Sequence, residues 1–247
     1  MKNDPEAGPA RRASDRGRHG RLSRERVLAA ALELVDREGL SALSMRRLGS
    51  ELGVEAMALY RYAAGKDALL DGLVEALYLE LEDRLGEASG AGAAPAEGTG
   101  AGRPEWRADL HRIALITYEV CLAHPRVVPL IATRMMAVPL ARRPSAVLRD
   151  HERVLALLRG AGLDEERTCA VFHAFTAWVL GYVSVELRAM VDNPDEPDPA
   201  FRLGLHRMPP HELPTLRAIA PALAERGGPE GLAAGVDAVI DRFVGAP

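Results

Sequence analysis

The sequence has few cysteines, few aromatic residues and no long apolar run, and each shortage excludes a class of protein. Cys121 and Cys169 are too few for a disulfide framework or a cysteine-based zinc site. No run of about 18 uninterrupted apolar residues occurs, so we expect no membrane span. Aromatic residues make up 4% of the 247-residue chain. Leucine, valine and alanine must therefore fill the core, which favours packed helices over strands and predicts an all-α protein.

Lysine is almost absent, and the charge is unevenly divided along the chain. Lysine occurs only at Lys2 and Lys66, so 29 of the 31 basic residues are arginine. Residues 1–66 carry 13 basic and 9 acidic side chains, a charge of +4, and the rest carries 18 and 26, a charge of −8, which gives the net −4. A basic first quarter on an acidic remainder is a weak indication of a domain that binds a polyanion.

Composition divides the chain into two domains. Residues 1–20 are rich in Arg, Gly, Pro and Ser and predict a disordered basic tail. No apolar stretch follows the first basic residues, so the tail is not a secretory signal and we expect a cytoplasmic protein. Residues 86–104 are Gly/Ala-rich and predict a flexible linker between a domain over 21–85 and a larger one over 105–247. A solvated tail is the favoured interpretation, although its arginines would also suit DNA: Arg11, Arg12, Arg16 and Arg18.

Four helices are expected in the first domain. Ser23 is a candidate N-cap for a helix that Gly39 ends, and Ser44 is a candidate N-cap for a second helix that ends at Gly53. A third short helix is expected from Glu55 to Tyr62. A fourth is expected to begin near Lys66, with an apolar stripe through Leu69, Leu70, Leu73, Leu77 and Leu81.

The second domain is also helical in its pattern. The segment from Asp164 to Met190 is apolar over much of its circumference, so it must be covered on more than one side. The final helix carries a similar apolar face. We interpret these two faces as a dimer seam rather than a cofactor site.

The segment Ser44–Tyr62 has the pattern of a helix-turn-helix, a short helix, a glycine-containing turn and a second short helix. About eight residues in the second helix would span roughly 12 Å, the width of the DNA major groove. The small core between the helices is expected to consist of Leu48, Leu52, Val54 and Leu59. The candidate DNA-binding residues are those left for the surface: Arg46, Arg47, Ala56, Met57, Ala58, Tyr60, Arg61, Tyr62 and Lys66.

Residues 23–82 resemble the DNA-binding domain of the TetR family of bacterial repressors. The family pattern "A-L-x-L-V-x-x-x-G-L-x-x-L-S-M-R-x-L-x-x-x-L-G-V-x-x-x-x-L-Y-x-Y-x-x-x-K-x-x-L-L-D" is filled without a gap from Ala31 to Asp71. The second domain resembles the tetracycline-repressor branch more loosely, through Trp106, the "AHP" at 123–125, and Leu180 with Gly181.

The resemblance implies a homodimer that binds a double-stranded DNA operator. By this resemblance Tyr60 and Tyr62 contact phosphates, Lys66 contacts the backbone, and Arg46 reads a guanine. The next reading positions are polar residues or proline in the tetracycline repressor but Ala56, Met57 and Ala58 here. Apolar side chains can contact thymine methyl groups but form no hydrogen bonds, so the operator should differ.

A small-molecule effector is also implied. Leu130 stands where the tetracycline repressor has the histidine that binds the drug's magnesium, so magnesium-tetracycline is not the expected ligand, although Thr133 and Arg134 match. Glu186 has two interpretations, a buried acid facing the ligand or a residue at the rim. We expect a small, largely apolar effector in a pocket of mostly apolar residues: Trp106, Ile113, Thr117, Leu130, Thr133, Arg134, Phe172, Phe175, Trp178, Tyr182 and Glu186.

No pattern supports an enzyme, a cofactor or a metal site. The sequence shows no Ser/His/Asp or Cys/His arrangement for nucleophilic catalysis and no phosphate-binding loop. Its seven histidines form neither the HxxxH nor the HExxH spacing of a metal site. Ligand-released repression is therefore the favoured function. An effector-independent regulator or activator and, more remotely, a helical small-molecule-binding protein without a DNA role remain as alternatives.

Overall fold

A computed structural model describes residues 22–90, 105–192, 204, 209, 212–224 and 227–244. In these ranges every regular element is helical, which confirms the all-α class. Two single 3₁₀ turns, Leu40–Ala42 and Leu140–Arg142, separate α-helices. The α-helices are α1 (Arg24–Glu38), α2 (Met45–Leu52), α3 (Ala56–Leu59), α4 (Lys66–Gly90), α5 (Glu105–Ala123), α6 (Val128–Ala137), α7 (Ser145–Gly160), α8 (Glu165–Asp192), α9 (Pro214–Ala224) and α10 (Gly228–Val244).

Local capping sets the helix boundaries in the head, which we define as α1–α3. The Ser23 hydroxyl accepts from the backbone N–H of Arg26 at 3.3 Å and begins α1. The Ser44 hydroxyl accepts from the backbone N–H of Arg47 at 3.1 Å and begins α2. Gly53 ends α2 with φ 66° and ψ 30°, a left-handed conformation that glycine adopts at little cost. These predicted caps are confirmed.

A glycine brings α2 and α3 together. A Cβ on Gly49 would lie 2.8 Å from the carbonyl oxygen of Val54, closer than such contacts are found. The carbonyl oxygen of Gly49 accepts from the backbone N–H of Val54 at 2.9 Å. Leu48 and Leu59 are fully buried beneath this contact, and Leu52 and Val54 pack against them as expected. The turn of the helix-turn-helix therefore needs a residue without a side chain at position 49.

Helix α3 is shorter than the sequence predicted. It covers Ala56–Leu59 rather than Glu55–Tyr62, so it spans about 6 Å instead of 12 Å. The backbone N–H of Tyr62 bonds to the carbonyl of Leu59, a spacing of three residues that tightens the chain out of the α-helix. The buried side chain of Leu59 holds this turn in place.

Helix α4 joins the head to the rest of the chain, helices α5–α10, which we call the body. It packs against α1 on the head side and against α5, α6 and α7 on the body side. Its predicted stripe is confirmed, because Leu69, Leu73, Leu77 and Leu81 are buried and Leu70 is half-buried. The buried apolar side chains form one continuous cluster from α1 to α10.

The end of α4 corrects the predicted domain boundary. The helix runs through Gly90, five residues into the expected linker over 86–104. Leu85 is buried and Ala88 packs against the core, so packing overrides the Gly/Ala composition. The predicted tail over 1–20 and the linker residues 91–104 lie outside the described residues.

Helix α8 is the central helix of the body. It packs against α5, α6, α7 and α10. Its segment Glu165–Leu187 is long and apolar enough to cross a membrane by length and composition alone, with a mean hydropathy of 1.5, although the chain has no uninterrupted apolar run. Within the protomer, 28% of this apolar stretch is buried. The large apolar side chain of Val185 in this segment is 78% exposed.

Two side-chain contacts attach α10 to α5. The guanidinium of Arg107 lies 2.6 Å from the carboxylate of Asp241, and the ring of His111 lies 2.8 Å from that of Asp237. Arg107 and His111 are buried, and Asp241 and Asp237 are partly exposed, so these contacts join the buried face of α5 to the last helix.

Replacing Gly49 by alanine should destabilise the head. The new methyl group meets backbone atoms that cannot rotate away, and overpacking of this kind costs about 1–3 kcal/mol. The expected result is a lower urea midpoint. Gly160→Ala is the matched control, because a Cβ there meets nothing within 4 Å. Equal stability of the two variants would contradict the close packing of α2 on α3.

Candidate functional site

The exposed surface of the helix-turn-helix is basic and aromatic. Met57 is 73% exposed and Tyr60 is 46% exposed, both on or next to α3. Arg46, Arg61 and Lys66 are also exposed. Arginine and lysine suit phosphate and guanine contacts, and a methionine at the tip offers an apolar contact for a base edge. Ala56 and Ala58 are half-buried at the base of this surface.

Two other candidate DNA-binding residues form contacts inside the head. The guanidinium of Arg47 lies 2.6 Å from Glu38 and 3.0 Å from Glu51. The hydroxyl of Tyr62 donates to the carbonyl oxygen of Leu22 at 2.8 Å. Their side chains thus hold α2 and the start of α1 in place, whereas the resemblance had implied a phosphate contact for Tyr62.

A histidine lies between the head and the body. The Nδ1 atom of His124 lies 2.7 Å from the carboxylate of Asp36 on α1, and its Nε2 atom lies 2.9 Å from that of Glu80 on α4. Next to it, the guanidinium of Arg126 donates to the carbonyl oxygen of Arg37 at 2.9 Å. The "AHP" segment therefore contacts the head directly.

Arg134 on α6 forms a further polar contact with α4, in addition to that of His124. Its guanidinium donates to Asp67 at 2.7 Å and lies 3.5 Å from Asp71. Asp67 directly follows the candidate DNA-binding residue Lys66. Arg134 was expected to line the effector pocket, but the structure aims it at the first turn of α4 instead.

Two small adjoining cavities lie inside the body. One, of about 30 Å³, is bounded by α4, α5, α7 and α8, and the other, of about 20 Å³, by α4, α5, α6 and α8. They share Tyr78, Thr117 and Leu180. We call the pair the inner cavity. Four of the predicted pocket residues line it: Ile113, Thr117, Phe172 and Phe175.

Two buried residues of α7 that line the inner cavity have polar side-chain atoms without a hydrogen-bond partner. Both ring nitrogens of His151 and the Oδ1 atom of Asp150 are buried and unpaired. The guanidinium of Arg153 forms an ion pair with Asp150 Oδ1 at 3.9 Å, beyond hydrogen-bond distance, and its Nη1 atom is also buried without a hydrogen-bond partner. Unpaired buried polar groups are rare in folded proteins and call for an explanation.

The local environment shifts the pKa values of both residues. Burial raises the pKa of Asp150 from 3.8 to about 6, against the attraction of Arg153 and with a further rise from Glu82. Burial lowers the pKa of His151, and the charge of Arg143 lowers it further. At neutral pH the imidazole is therefore uncharged, with one N–H donor and one acceptor nitrogen.

An open groove on the surface leads toward the inner cavity. Its two connected parts, of about 540 and 280 Å³, lie between α4, α5 and α7 and share Asp109, Arg153 and Leu157. Ile113 lines both the groove and the inner cavity and separates them. Trp106, a predicted pocket residue, lines the outer part of this groove rather than the cavity.

The remaining predicted pocket residues lie elsewhere. Trp178 donates to the carbonyl oxygen of Leu232, and Tyr182 donates to that of Gly228. Glu186 accepts from the backbone N–H of Gly228 at 3.1 Å, so it is a capping residue of α10 in the protomer. Thr133 is exposed, and Leu130 is buried in the core.

Sequence reasoning missed several residues of the inner cavity: Tyr78, Asp150, His151 and Thr176. A signal was present for two of them. The buried stripe of α7 runs through Val147, Val154 and Leu158, and Asp150 and His151 occupy the stripe positions between them. Polar residues on the buried face of an amphipathic helix mark a site that needs polar partners.

Asp150→Asn should stabilise the protein at neutral pH. The folded state binds the proton of Asp150 more tightly than the unfolded chain does, so its contribution to stability is fully present below pH 3.8 and is lost as the pH rises through 6. Ionisation therefore costs the folded state on the order of 3 kcal/mol above pH 6. We expect a higher melting temperature for the variant at pH 7.5 and a shrinking difference toward pH 4. Asp83→Asn, on the exposed face of α4, is the control and should show no such trend.

The chain is similar to curated transcriptional regulators. It is 33% identical over 165 residues to an HTH-type transcriptional regulator of Saccharopolyspora erythraea, covering 67% of this chain and 61% of that protein. It is 31% identical over 176 residues to the HTH-type transcriptional repressor DrrR1 of Streptomyces coeruleorubidus, covering 71% of this chain and 58% of that one. The chain thus spans about three fifths of the length of these relatives.

The fold agrees with a solved structure over nearly its whole length. The Streptomyces coelicolor TetR family protein ActR, in complex with actinorhodin, superposes with a TM-score of 0.64 at 25% identity. The match covers 91% of this chain and 98% of ActR. The same order of head, connecting helix and helical body is therefore found in both proteins.

Two family models account for both domains. Residues 27–73 match the bacterial regulatory proteins of the tetR family, and residues 94–237 match the tetracyclin repressor-like C-terminal domain. The first match contains the helix-turn-helix and the second contains most of the body. The chain belongs to the TetR family of transcriptional regulators.

Proposed function

We propose that this protein is a homodimeric, cytoplasmic repressor that leaves its operator when a small molecule occupies the inner cavity. The observation that carries the proposal is the exposed surface of Arg46, Met57, Tyr60, Arg61 and Lys66 on a capped helix-turn-helix. The relative DrrR1 is named as a transcriptional repressor, which supports repression rather than activation.

The exposed surface suits a DNA major groove at its tip and phosphates at its rim. Tyr60, Arg61 and Lys66 lie at the C-terminal side of α3 and the start of α4, where they can contact backbone oxygens. Met57 is the most exposed side chain of α3 and would meet base edges through apolar contact. Such contacts favour thymine methyl groups, so we propose an A·T-containing operator core.

The uncovered apolar face of the body supports a dimer. Val185 on α8 is 78% exposed and Phe243 on α10 is 39% exposed. Pairing of these helices with their copies across a two-fold axis would bury both side chains. Two heads then reach successive major grooves, about 34–36 Å apart, and a pseudo-palindromic operator follows from the symmetry.

The inner cavity and the head are connected through α4. Leu77, Tyr78 and Leu81 of α4 line the inner cavity, and the same helix carries Asp67 and Glu80, which bond to Arg134 and His124. A ligand larger than the present cavity must displace α4 or its neighbours. We propose that the displaced arrangement sets a spacing of the two heads that the operator does not fit, so that ligand binding shifts the population toward the released state.

The double variant Tyr60→Ala/Lys66→Ala should weaken operator binding regardless of sequence. Each head loses two phosphate contacts, and the loss of the Lys66 charge reduces the number of counterions released, so the slope of log affinity against log salt should fall. The operator is first located by footprinting on the DNA that flanks the gene, and affinity is then measured from 50 to 200 mM salt. Arg167→Ala, an exposed arginine of α8, is the control. Wild-type affinity in the double variant would contradict the proposed interface.

Arg46→Ala provides the contrasting variant in the same assay. Arg46 is exposed and lacks the carboxylate partners that hold Arg47, so it is free to form a bidentate contact with guanine. Its loss should relax base preference at one position per half-site in a randomised operator library. An unchanged preference would reject this role.

His124→Leu should weaken operator binding without changing the salt slope. The substitution removes the contacts with Asp36 and Glu80, so the head loses a fixed angle to the body and must be ordered when DNA binds. We expect a loss of affinity of roughly threefold to tenfold, which corresponds to about 1 kcal/mol. His173→Leu, on the exposed side of α8, is the control. A reduced salt slope would mean that His124 acts through DNA contact, and unchanged affinity would remove it from the coupling route.

A further inference from the structure

The unpaired polar atoms of the inner cavity indicate what kind of ligand it takes. Asp150 is 8% exposed and His151 is 7% exposed, and both line the cavity of about 30 Å³ beside Phe172. The ring of His151 meets the ring of Phe172 edge-on, with centroids 5.2 Å apart. Leaving a buried polar group without a partner costs roughly 1–3 kcal/mol. A stable protein retains such groups where a ligand satisfies them, because functional sites tolerate a cost that the rest of the core does not.

A hydroxyl group suits both residues. A hydroxyl is a donor and an acceptor in the same atom, whereas a carbonyl only accepts and an ammonium only donates. The carboxylate of Asp150 needs a donor, and the neutral ring of His151 supplies an N–H that needs an acceptor. The body of the ligand meets apolar and aromatic side chains, since Tyr78, Phe172 and Phe175 also line this cavity.

We propose that the inner cavity binds a hydroxylated aromatic molecule, whose hydroxyl donates to Asp150 Oδ1 and accepts from the ring N–H of His151. The inference rests on the proposed function and names the chemical class of its effector. The polar pair lies on α7, away from Leu130, Thr133 and Arg134, where the resemblance to the tetracycline repressor had placed ligand contacts.

The groove between α4, α5 and α7 provides the route of entry. Ile113 is buried at 4% exposure and is the side chain shared by the groove and the inner cavity. We therefore place the route of entry at this side chain. Arg153, which lines the groove and also lies near Asp150, gives the entering hydroxyl a polar path.

Phenol and toluene provide the test, because they have nearly the same shape and differ in a hydroxyl against a methyl group. Binding of each to the full-length protein is measured by calorimetry at pH 7.5, with benzylamine as a cationic probe. We expect phenol to bind the wild type at least tenfold more tightly than toluene, the ratio that about 1.4 kcal/mol of hydrogen bonding supplies.

The variants Asp150→Leu and His151→Leu should remove this preference. Each replaces an unpaired polar group by an apolar one, so toluene should bind as well as phenol, and the ligand-free variants should melt at or above the wild-type temperature. Asp150→Asn keeps an acceptor and should keep part of the preference. His173→Leu, whose ring also lies next to Phe172 but is exposed, should keep all of it.

Three results would overturn the proposal. They are equal binding of phenol and toluene to the wild type, a phenol preference that survives both leucine variants, and tighter binding of benzylamine than of phenol, which would mean a cation site. Operator binding is measured on the same preparations. Operator binding without a phenol preference would reject the ligand class alone, whereas a preference that follows the variants in a protein that binds no operator would reject the proposed function alone.

Discussion

The apolar stripe of α4 is the constraint on which the rest of the structure depends. Leu69 and Leu73 are buried with α1 of the head, and Leu77 and Leu81 are buried with the body, so one helix completes two cores. Because interiors are close-packed, a change in one core cannot be absorbed locally and is passed along the helix. Tyr78 lines the inner cavity and lies next to Leu77 on α4, so the wall of the cavity and the core of the head share one helix.

Polar contacts then fix the angle between the two cores. His124 and Arg134 each reach from the body to carboxylates on α1 or α4. The His124 contacts are half-buried, whereas Asp67, the partner of Arg134, is exposed to water. Polar contacts of this kind contribute direction more than stability, since desolvation or screening by water offsets much of the attraction. They are therefore suited to holding one arrangement of the heads that a modest binding energy can replace by another.

Much of the head was predictable because its signals are local. A serine that begins a helix and a glycine that ends one act within a single turn, and Ser23, Ser44 and Gly53 were each identified from spacing alone. The length of α3 was not, because the side chain of Tyr62 bonds to Leu22, forty residues away, and helps to end the helical path early. Spacing along the chain says less about which candidate pocket residues come together. Phe172 and Phe175 line the inner cavity, whereas Arg134 and Tyr182 bond to other elements. Asp150, which also lines the cavity, was not among the candidates.

The sequence by itself determined the helices, their order and the family to which they belong, since helix periodicity and capping depend on neighbours within a few positions. Only the tertiary structure decided which polar side chains find partners. Arg47 is paired and Arg46 is free, although they are adjacent, and His151 is unpaired while His124 lies between two carboxylates. Arg47 is paired by Glu51 one helical turn away and by Glu38 across the turn between α1 and α2. His124 is paired by carboxylates 88 and 44 residues away, which no spacing along the chain records.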